Sequence, residues 1–185
     1  SWEFSPSGLT WTFHLRPNLK FSDGTPLTSN DVAWSIDRAL RKDTNSFTAP
    51  YYLRYIKDSD KLNSGAISSI IGDSLITPDP YTIEIKVSQP VAFFLDTLAQ
   101  PAAYTVEQSL IKKYGNNWTD HLQEGGGDGP FKVKNYVHQQ ELDIVSNPNY
   151  YGPQPQLKEV IFPFYKQQDA AYSDYLANKL DDTAI

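Results

Sequence analysis

The 185-residue sequence contains no cysteine and no methionine. Without cysteine there is no disulfide, no thiol nucleophile and no thiolate-bound metal, which fits an oxidising compartment without requiring one. Without methionine there is no initiator residue, and the expectation is an interior piece of a longer polypeptide. Nothing in the sequence approaches the roughly 18 consecutive apolar residues of a membrane helix, and no secretory leader pattern is visible. Positive charge is scarce: 16 Lys and Arg against 22 Asp and Glu give a formal net charge of -6. That balance repels phosphate backbones, so nucleic acid is not an expected partner.

Hydrophobic residues make up 39% and charged residues 21% of the chain, a globular balance rather than a disordered one. The length allows one domain or two small lobes. Aromatic rings are plentiful, with 12 Tyr, 9 Phe and 4 Trp, and Tyr and Trp suit cores and ligand clefts alike.

In TWTFHLR (residues 10–16), Trp11, Phe13 and Leu15 alternate with Thr12, His14 and Arg16, which predicts a strand with one buried face. FSDGTPL (21–27) turns the chain through Asp23, Gly24 and Pro26. TSNDVAWSIDRALRK (28–42) predicts a helix, with Thr28 and Asp31 as a capping box and Val32, Ile36, Ala39 and Leu40 on one face. Residues 43–56 read as a loop with a short helix, 74–80 as a turn, and 81–88 as a strand. SQPVAFFLDTL (88–98) predicts a helix with Pro90 in its first turn. VEQSLIKKYG (106–115) predicts another, closed by Gly115. EGGGDGP (124–130) reads as a flexible breaker before a hairpin of FKVKNYV and ELDIVSN. EVIFPF (159–164) is a further strand. DAAYSDYLANKL (169–180) is a final helix with Tyr172, Tyr175, Leu176 and Lys179 along one side. The lobe boundary is expected near residues 101–105, where a Pro-interrupted segment joins two helices.

Few motifs carry chemistry. The cluster Gly125, Gly126, Gly127 and Gly129 lacks the Lys and Ser/Thr of a phosphate loop, and Asp128 within it would repel phosphate. His14, His121 and His138 are scattered, so no metal site is expected. No Gly-x-Ser-x-Gly elbow is present. A carboxylate pair of the glycosidase type meets in space rather than in sequence, and stays open as an alternative. Tyr51, Tyr52 and Tyr55 have two readings, a packing patch under a loop or a ligand-cleft wall.

Residues 11–40, WTFHLRPNLKFSDGTPLTSNDVAWSIDRAL, resemble the signature region of the family 5 extracellular solute-binding proteins of ABC transporters, the oligopeptide-, dipeptide- and nickel-binding group. The likeness rests on a T-F-x-L-R strand, a K-F-x-D-G-T-P-L-T turn and D-V at the helix start. It continues in order through TPDPYTIEIKVSQPVAFFLDTLA (77–99), GGGDGPFKVKNY (125–136), NPNYYGPQPQLKEVIFPF (147–164) and YLANKLDDTAI (175–185), which ends on the approach to a further strand. Two residues depart from the pattern: Asp128 stands where Thr or Ser is usual, and Asn178 where Gly is usual.

The resemblance implies an α/β fold, a mixed sheet with flanking helices that is part of a periplasmic-binding-protein type II-like fold. Residues 1–105 would be most of the family-specific extra lobe, incomplete at its N-terminus, and 106–185 part of the first main lobe. In that lobe the opening stretch serves as framework. The implied function is not enzymatic: capture of a small solute, most readily a peptide, by hinge closure of two lobes, and delivery to an ABC transporter permease in the membrane. No cofactor and no metal are implied. A monomer in the periplasm or another extracytoplasmic space is expected, with a lipid anchor on the full-length form as one option. Pro50-Tyr51 matches a dipeptide that touches bound peptide in oligopeptide-binding relatives, and Tyr52 is the alternative at that place. Nickel, haem, sugars and opines are carried by related scaffolds, so the ligand class stays open beside the glycoside hydrolase alternative.

Overall fold

The computed structural model describes residues 1–183; the strand expected after the chain's last residues lies outside them. Strands β1 (Trp2–Phe4), β2 (Thr10–His14), β3 (Leu75–Asp79) and β4 (Thr82–Lys86) form a four-stranded sheet in the order β1-β2-β4-β3. Its ladders are antiparallel. The period-two alternation of β2 sets its register: Trp11 lies opposite Ile85 and Phe13 opposite Ile83, so one face gathers apolar side chains.

Helix α1 (Ser29–Leu40) lies against β3 and β4. Ile36 and Leu40 are fully buried, and Val32 and Ala39 pack at the edge of the same core. At its start, the Asp31 carboxylate accepts hydrogen bonds from the Thr28 amide and the Thr28 hydroxyl, both at 2.8 Å. Asp31→Ala is expected to cost about 1 kcal/mol, read as a lower urea midpoint at unchanged slope. An unmoved midpoint would mean that packing alone sets the helix start.

Short helices α2 (Ala49–Tyr52) and α3 (Ser59–Ser64) pack against α1 and against each other. Residues 74–80, read from sequence as a turn, instead contain β3. The ladder to β4 shifts register between Ile76 and Asp79, and Pro78 falls within that shift. A proline has no N–H to give a ladder, and β3 is an edge strand where that loss is tolerated. The helix predicted to start around Pro90 begins later, as α4 (Phe94–Leu98). Its cap residue Phe93 leaves helical dihedrals and sets its ring edge-on to Tyr55, with centroids 5.4 Å apart. Tertiary contact therefore overrides the Pro-led start.

A 3-10 turn at Pro101–Ala103 leads to α5 (Gln108–Tyr114), which Gly115 terminates, and then to a 3-10 segment at Gly115–Glu124. The second sheet has three antiparallel strands in the order β5 (Phe131–Val137), β6 (Glu141–Ser146) and β7 (Glu159–Pro163). The predicted hairpin is β5–β6. Helix α6 (Gln168–Leu176) ends before Lys179, which the sequence reading placed on its side. Asn178 takes a left-handed φ of 58° there, and the Lys179 amide reaches back to the Asp174 carbonyl at 2.9 Å. Asn tolerates that conformation better than any residue but Gly, which explains the exchange at this position.

The two halves differ in what they bury. Every buried apolar side chain among the described residues lies between Trp11 and Leu110. Beyond Leu110 the only buried side chains among the described residues are those of Asp143 and Asn147, both polar, and Gly125 and Gly126 are buried without one. Within the first half one charged group sits at the centre. Asp37, on α1, has 0% exposure. It accepts the Ile70 amide at 2.8 Å and the Ser69 hydroxyl at 2.9 Å. It also receives Arg41 through Nε at 2.8 Å and Nη2 at 2.6 Å. The carboxylate thus ties α1 to the segment before β3.

Candidate functional site

The halves meet around the glycine-rich loop, residues 125–129. Ser35 on α1 accepts the Val106 amide at 2.9 Å and donates to the Asp31 carbonyl at 2.7 Å, which fixes where the chain leaves the first half. The next residue, Glu107, is buried. Its amide donates to the Gly126 carbonyl at 3.1 Å, its Oε2 accepts the Gly126 amide at 3.0 Å, and its Oε1 accepts the Ser109 hydroxyl.

The far side of the loop is tied as well. The Ser22 amide, in the turn after β2, donates to the Gly127 carbonyl at 2.8 Å. Asn147, fully buried, donates through Nδ2 to the Gly129 carbonyl at 2.8 Å and through its amide to the Pro130 carbonyl at 2.9 Å. Asn149 donates to the Ser22 carbonyl at 3.2 Å. The loop read from sequence as a flexible breaker is therefore a pinned junction: its Gly127 carbonyl is bonded to Ser22, and its flanks to Glu107 and Asn147. The glycines serve close approach. A Cβ on Gly125 would collide with the Glu107 carboxylate, and Gly126 has a φ of 114° with Leu122 Cδ2 3.0 Å from where its Cβ would sit. Gly126→Ala is expected to destabilise by about 2 kcal/mol, measured by urea unfolding. A loss under about 0.5 kcal/mol would show that the loop can take another path.

Above this junction opens a pocket of about 730 Å³. Its walls come from Tyr104, Trp118, Phe131, Tyr150 and Tyr151, with Ser22 and Gly125–Gly129 along one side. Trp118 is held by Arg38 of α1, whose guanidinium lies 5.8 Å from the Trp118 ring and 6.0 Å from Trp34. The 3-10 segment carrying Trp118 is braced at its end by Glu124. That carboxylate accepts Lys113 Nζ at 2.9 Å and the Tyr114 hydroxyl at 2.7 Å, while Tyr114 stacks on His121 at 3.5 Å. The Lys113 hydrogen bond, then that of Tyr114, holds the Glu124 carboxyl down at about 2.

Asp128 is the only Asp or Glu among the pocket's lining residues. Burial pushes its carboxyl up from the usual range. The Tyr150 phenol is raised first by its hydrogen bond to Tyr151, then by burial, and the Asp128 charge adds to that rise.

Tyr51 and Tyr52 sit on α2, outside this pocket. Tyr51 is 63% exposed and Tyr52 half-buried, with their rings edge-on at 5.0 Å. Arg54 lies over both Tyr51, at 5.4 Å, and Tyr55, at 4.9 Å. Tyr55 packs against the core. Helix α2 touches the Pro101–Ala103 turn that leads to Tyr104, so the tyrosine pair lies near the pocket without lining it. His138 Nε2 is 2.6 Å from Asp120, and the described residues contain no group of three or more metal-ligating side chains. No helix among them is long and apolar enough to cross a membrane.

Comparison with known proteins places this geometry. The chain is 35% identical over 146 residues to the periplasmic oligopeptide-binding protein OppA of Salmonella typhimurium, covering 76% of the chain and 26% of that protein. It is 32% identical over 163 residues to the probable D,D-dipeptide-binding periplasmic protein DdpA of Escherichia coli, covering 86% of the chain and 28% of that protein. The crystal structure of a periplasmic oligopeptide-binding protein, OppAIV of Borrelia burgdorferi, superposes with a TM-score of 0.86 at 33% identity over 98% of the chain and 36% of its own. The chain thus spans about a quarter to a third of the relatives it matches. A family profile described as bacterial extracellular solute-binding proteins, family 5 Middle, matches residues 1–185, the whole of it. That family is one of binding proteins and not of enzymes, and this chain belongs to it.

Proposed function

We propose that the full-length polypeptide carrying residues 1–185 captures a peptide outside the cytoplasm and hands it to an ABC transporter permease. Kinship carries this reading: relatives at 35% and 32% identity are named for oligopeptide and D,D-dipeptide binding. The aromatic-walled pocket at the junction of the halves supports it, because ligand clefts favour apolar walls with a few placed polar groups. In this reading residues 1–105 belong to one lobe and 106–185 to part of another. Closure of a further lobe over the ligand commits it for delivery. Tyr51, the more exposed of its pair, faces the ligand from the rim, with Tyr52 behind it. The protein acts as a monomer in the periplasm or another extracytoplasmic space. A glycosidase would need two carboxylates flanking the bond that is cut, whereas the pocket is lined by one.

The test is mass spectrometry of whatever co-purifies with the full-length polypeptide, released by unfolding. Short peptides are the expected result. Recovery of a sugar, a tetrapyrrole or a chelated metal in stoichiometric amount, with no peptide, would overturn it.

A further inference from the structure

Arg54 is exposed, yet the fold holds its guanidinium still. It donates through Nη2 to the Tyr55 hydroxyl at 2.8 Å and lies over the rings of both Tyr51 and Tyr55. Its backbone is anchored on either side, by buried Leu53 before it and buried Ile56 after Tyr55. The Arg54 carbonyl accepts the Ser59 hydroxyl at 3.0 Å, and the Tyr55 carbonyl accepts the Ser88 amide at 2.9 Å. The carboxylates of the next stretch are taken by lysines: Asp58 pairs with Lys57 and Lys61, and Asp73 with Lys57. No carboxylate contributes to the electrostatic surroundings of Arg54; only the two tyrosines do. Fixing a long side chain in one rotamer is part of what an ion pair ordinarily costs, and here folding has already done it.

Helix α2 packs on the Pro101–Ala103 turn, and Ala103 and Tyr104 line the pocket at the junction of the halves. Arg54 follows that helix and stands outside the pocket's lining. The surface around it is aromatic: Tyr51 is exposed, and so is Phe93, edge-on to Tyr55. One N–H of the guanidinium goes to Tyr55, and the remaining donors can grip a carboxylate with two parallel hydrogen bonds. The rings give the apolar stem of an acidic side chain a surface to lie on. In a chain of net charge -6, a fixed cation offsets the repulsion that an acidic ligand meets elsewhere. An ammonium group is repelled here, and a neutral amide forgoes the charge-assisted bonds. We infer that Arg54, clasped by Tyr51 and Tyr55, is a specificity residue that pairs with the side-chain carboxylate of an acidic residue in the bound peptide. The assignment rests on the peptide-capture reading above.

Calorimetry on the full-length polypeptide near neutral pH tests it with triglutamate and triglutamine. The two probes share length, shape and both chain termini, and differ only in side-chain charge. Arg54→Gln is expected to weaken triglutamate about tenfold or more and triglutamine by less than about twofold, the scale of a charge-assisted hydrogen bond. Arg54→Lys keeps the charge without the planar fork and recovers part of the selective loss, which a packing defect would not do. An equal change for both probes, or none, overturns the assignment and leaves peptide capture standing; an equal loss is what pairing with the terminal carboxylate would give. Wild type that binds triglutamine but not triglutamate overturns it in the same way. Wild type that binds neither overturns it too, and if no peptide co-purifies with the polypeptide, the capture reading falls with it.

Discussion

Asp37→Ala should lower the unfolding free energy by about 3 kcal/mol, seen as an earlier urea midpoint without a change in slope. The carboxylate it removes is wholly buried and serves four donor atoms: the Ile70 amide, the Ser69 hydroxyl and two nitrogens of Arg41. Its loss strands a buried amide and a guanidinium that is itself only 31% exposed on its side chain. Asp37→Asn should recover part of the loss, since an amide oxygen can still accept from Ile70, but the pairing with Arg41 is gone. A midpoint within about 0.5 kcal/mol of wild type would show that water reaches the site and replaces the carboxylate.

Phe94→Ala should cost about as much or more, roughly 3–5 kcal/mol. Phe94 has 0% exposure, and its ring lies 5.5 Å from that of Trp11 on the central strand β2. Truncation leaves a cavity between α4 and the sheet that neither rigid neighbour can fill. The near-ultraviolet circular dichroism of the tryptophans should change with it, because Trp11 loses one of its three ring neighbours, the others being Trp2 and Phe4. A loss under about 1 kcal/mol would mean that the sheet and α4 collapse onto one another.

The elements that could be read from sequence are those whose cause is local. The alternation around Trp11 and Phe13 makes β2, the Thr28–Asp31 box starts α1, and the two alternating runs after Pro130 make the β5–β6 hairpin. What escaped reading has distant causes. β3 was hidden by Pro78, whose placement is tolerable only because the strand falls at a sheet edge. The late start of α4 depends on Phe93 meeting Tyr55, which lies on another segment. Asp37 looks like any polar residue on a helix, and its partners Ser69 and Ile70 are 32 and 33 residues away. The pocket is harder still, because it gathers Ser22, Tyr104, Trp118, Asp128 and Tyr150 from separate turns and strands. The aromatic cluster at residues 51–55 drew attention because its rings are adjacent in sequence. The rings of the pocket are adjacent only in space.

The confinement of all buried apolar side chains among the described residues to the stretch between Trp11 and Leu110 has a consequence for how the chain comes apart. Opening the β5–β6–β7 ladder breaks backbone hydrogen bonds and wets apolar side chains that are only half-buried to begin with, so it need not wait for the first half to melt. A protease would meet two substrates in one chain. The strands and loops after Pro130 become accessible through small local excursions, whereas the peptide bonds around Ile36, Leu40 and Leu75 are reached only when the whole first half lets go. Limited digestion would then trim the molecule from its second sheet inward, and the first resistant product would be the sheet that carries Trp11.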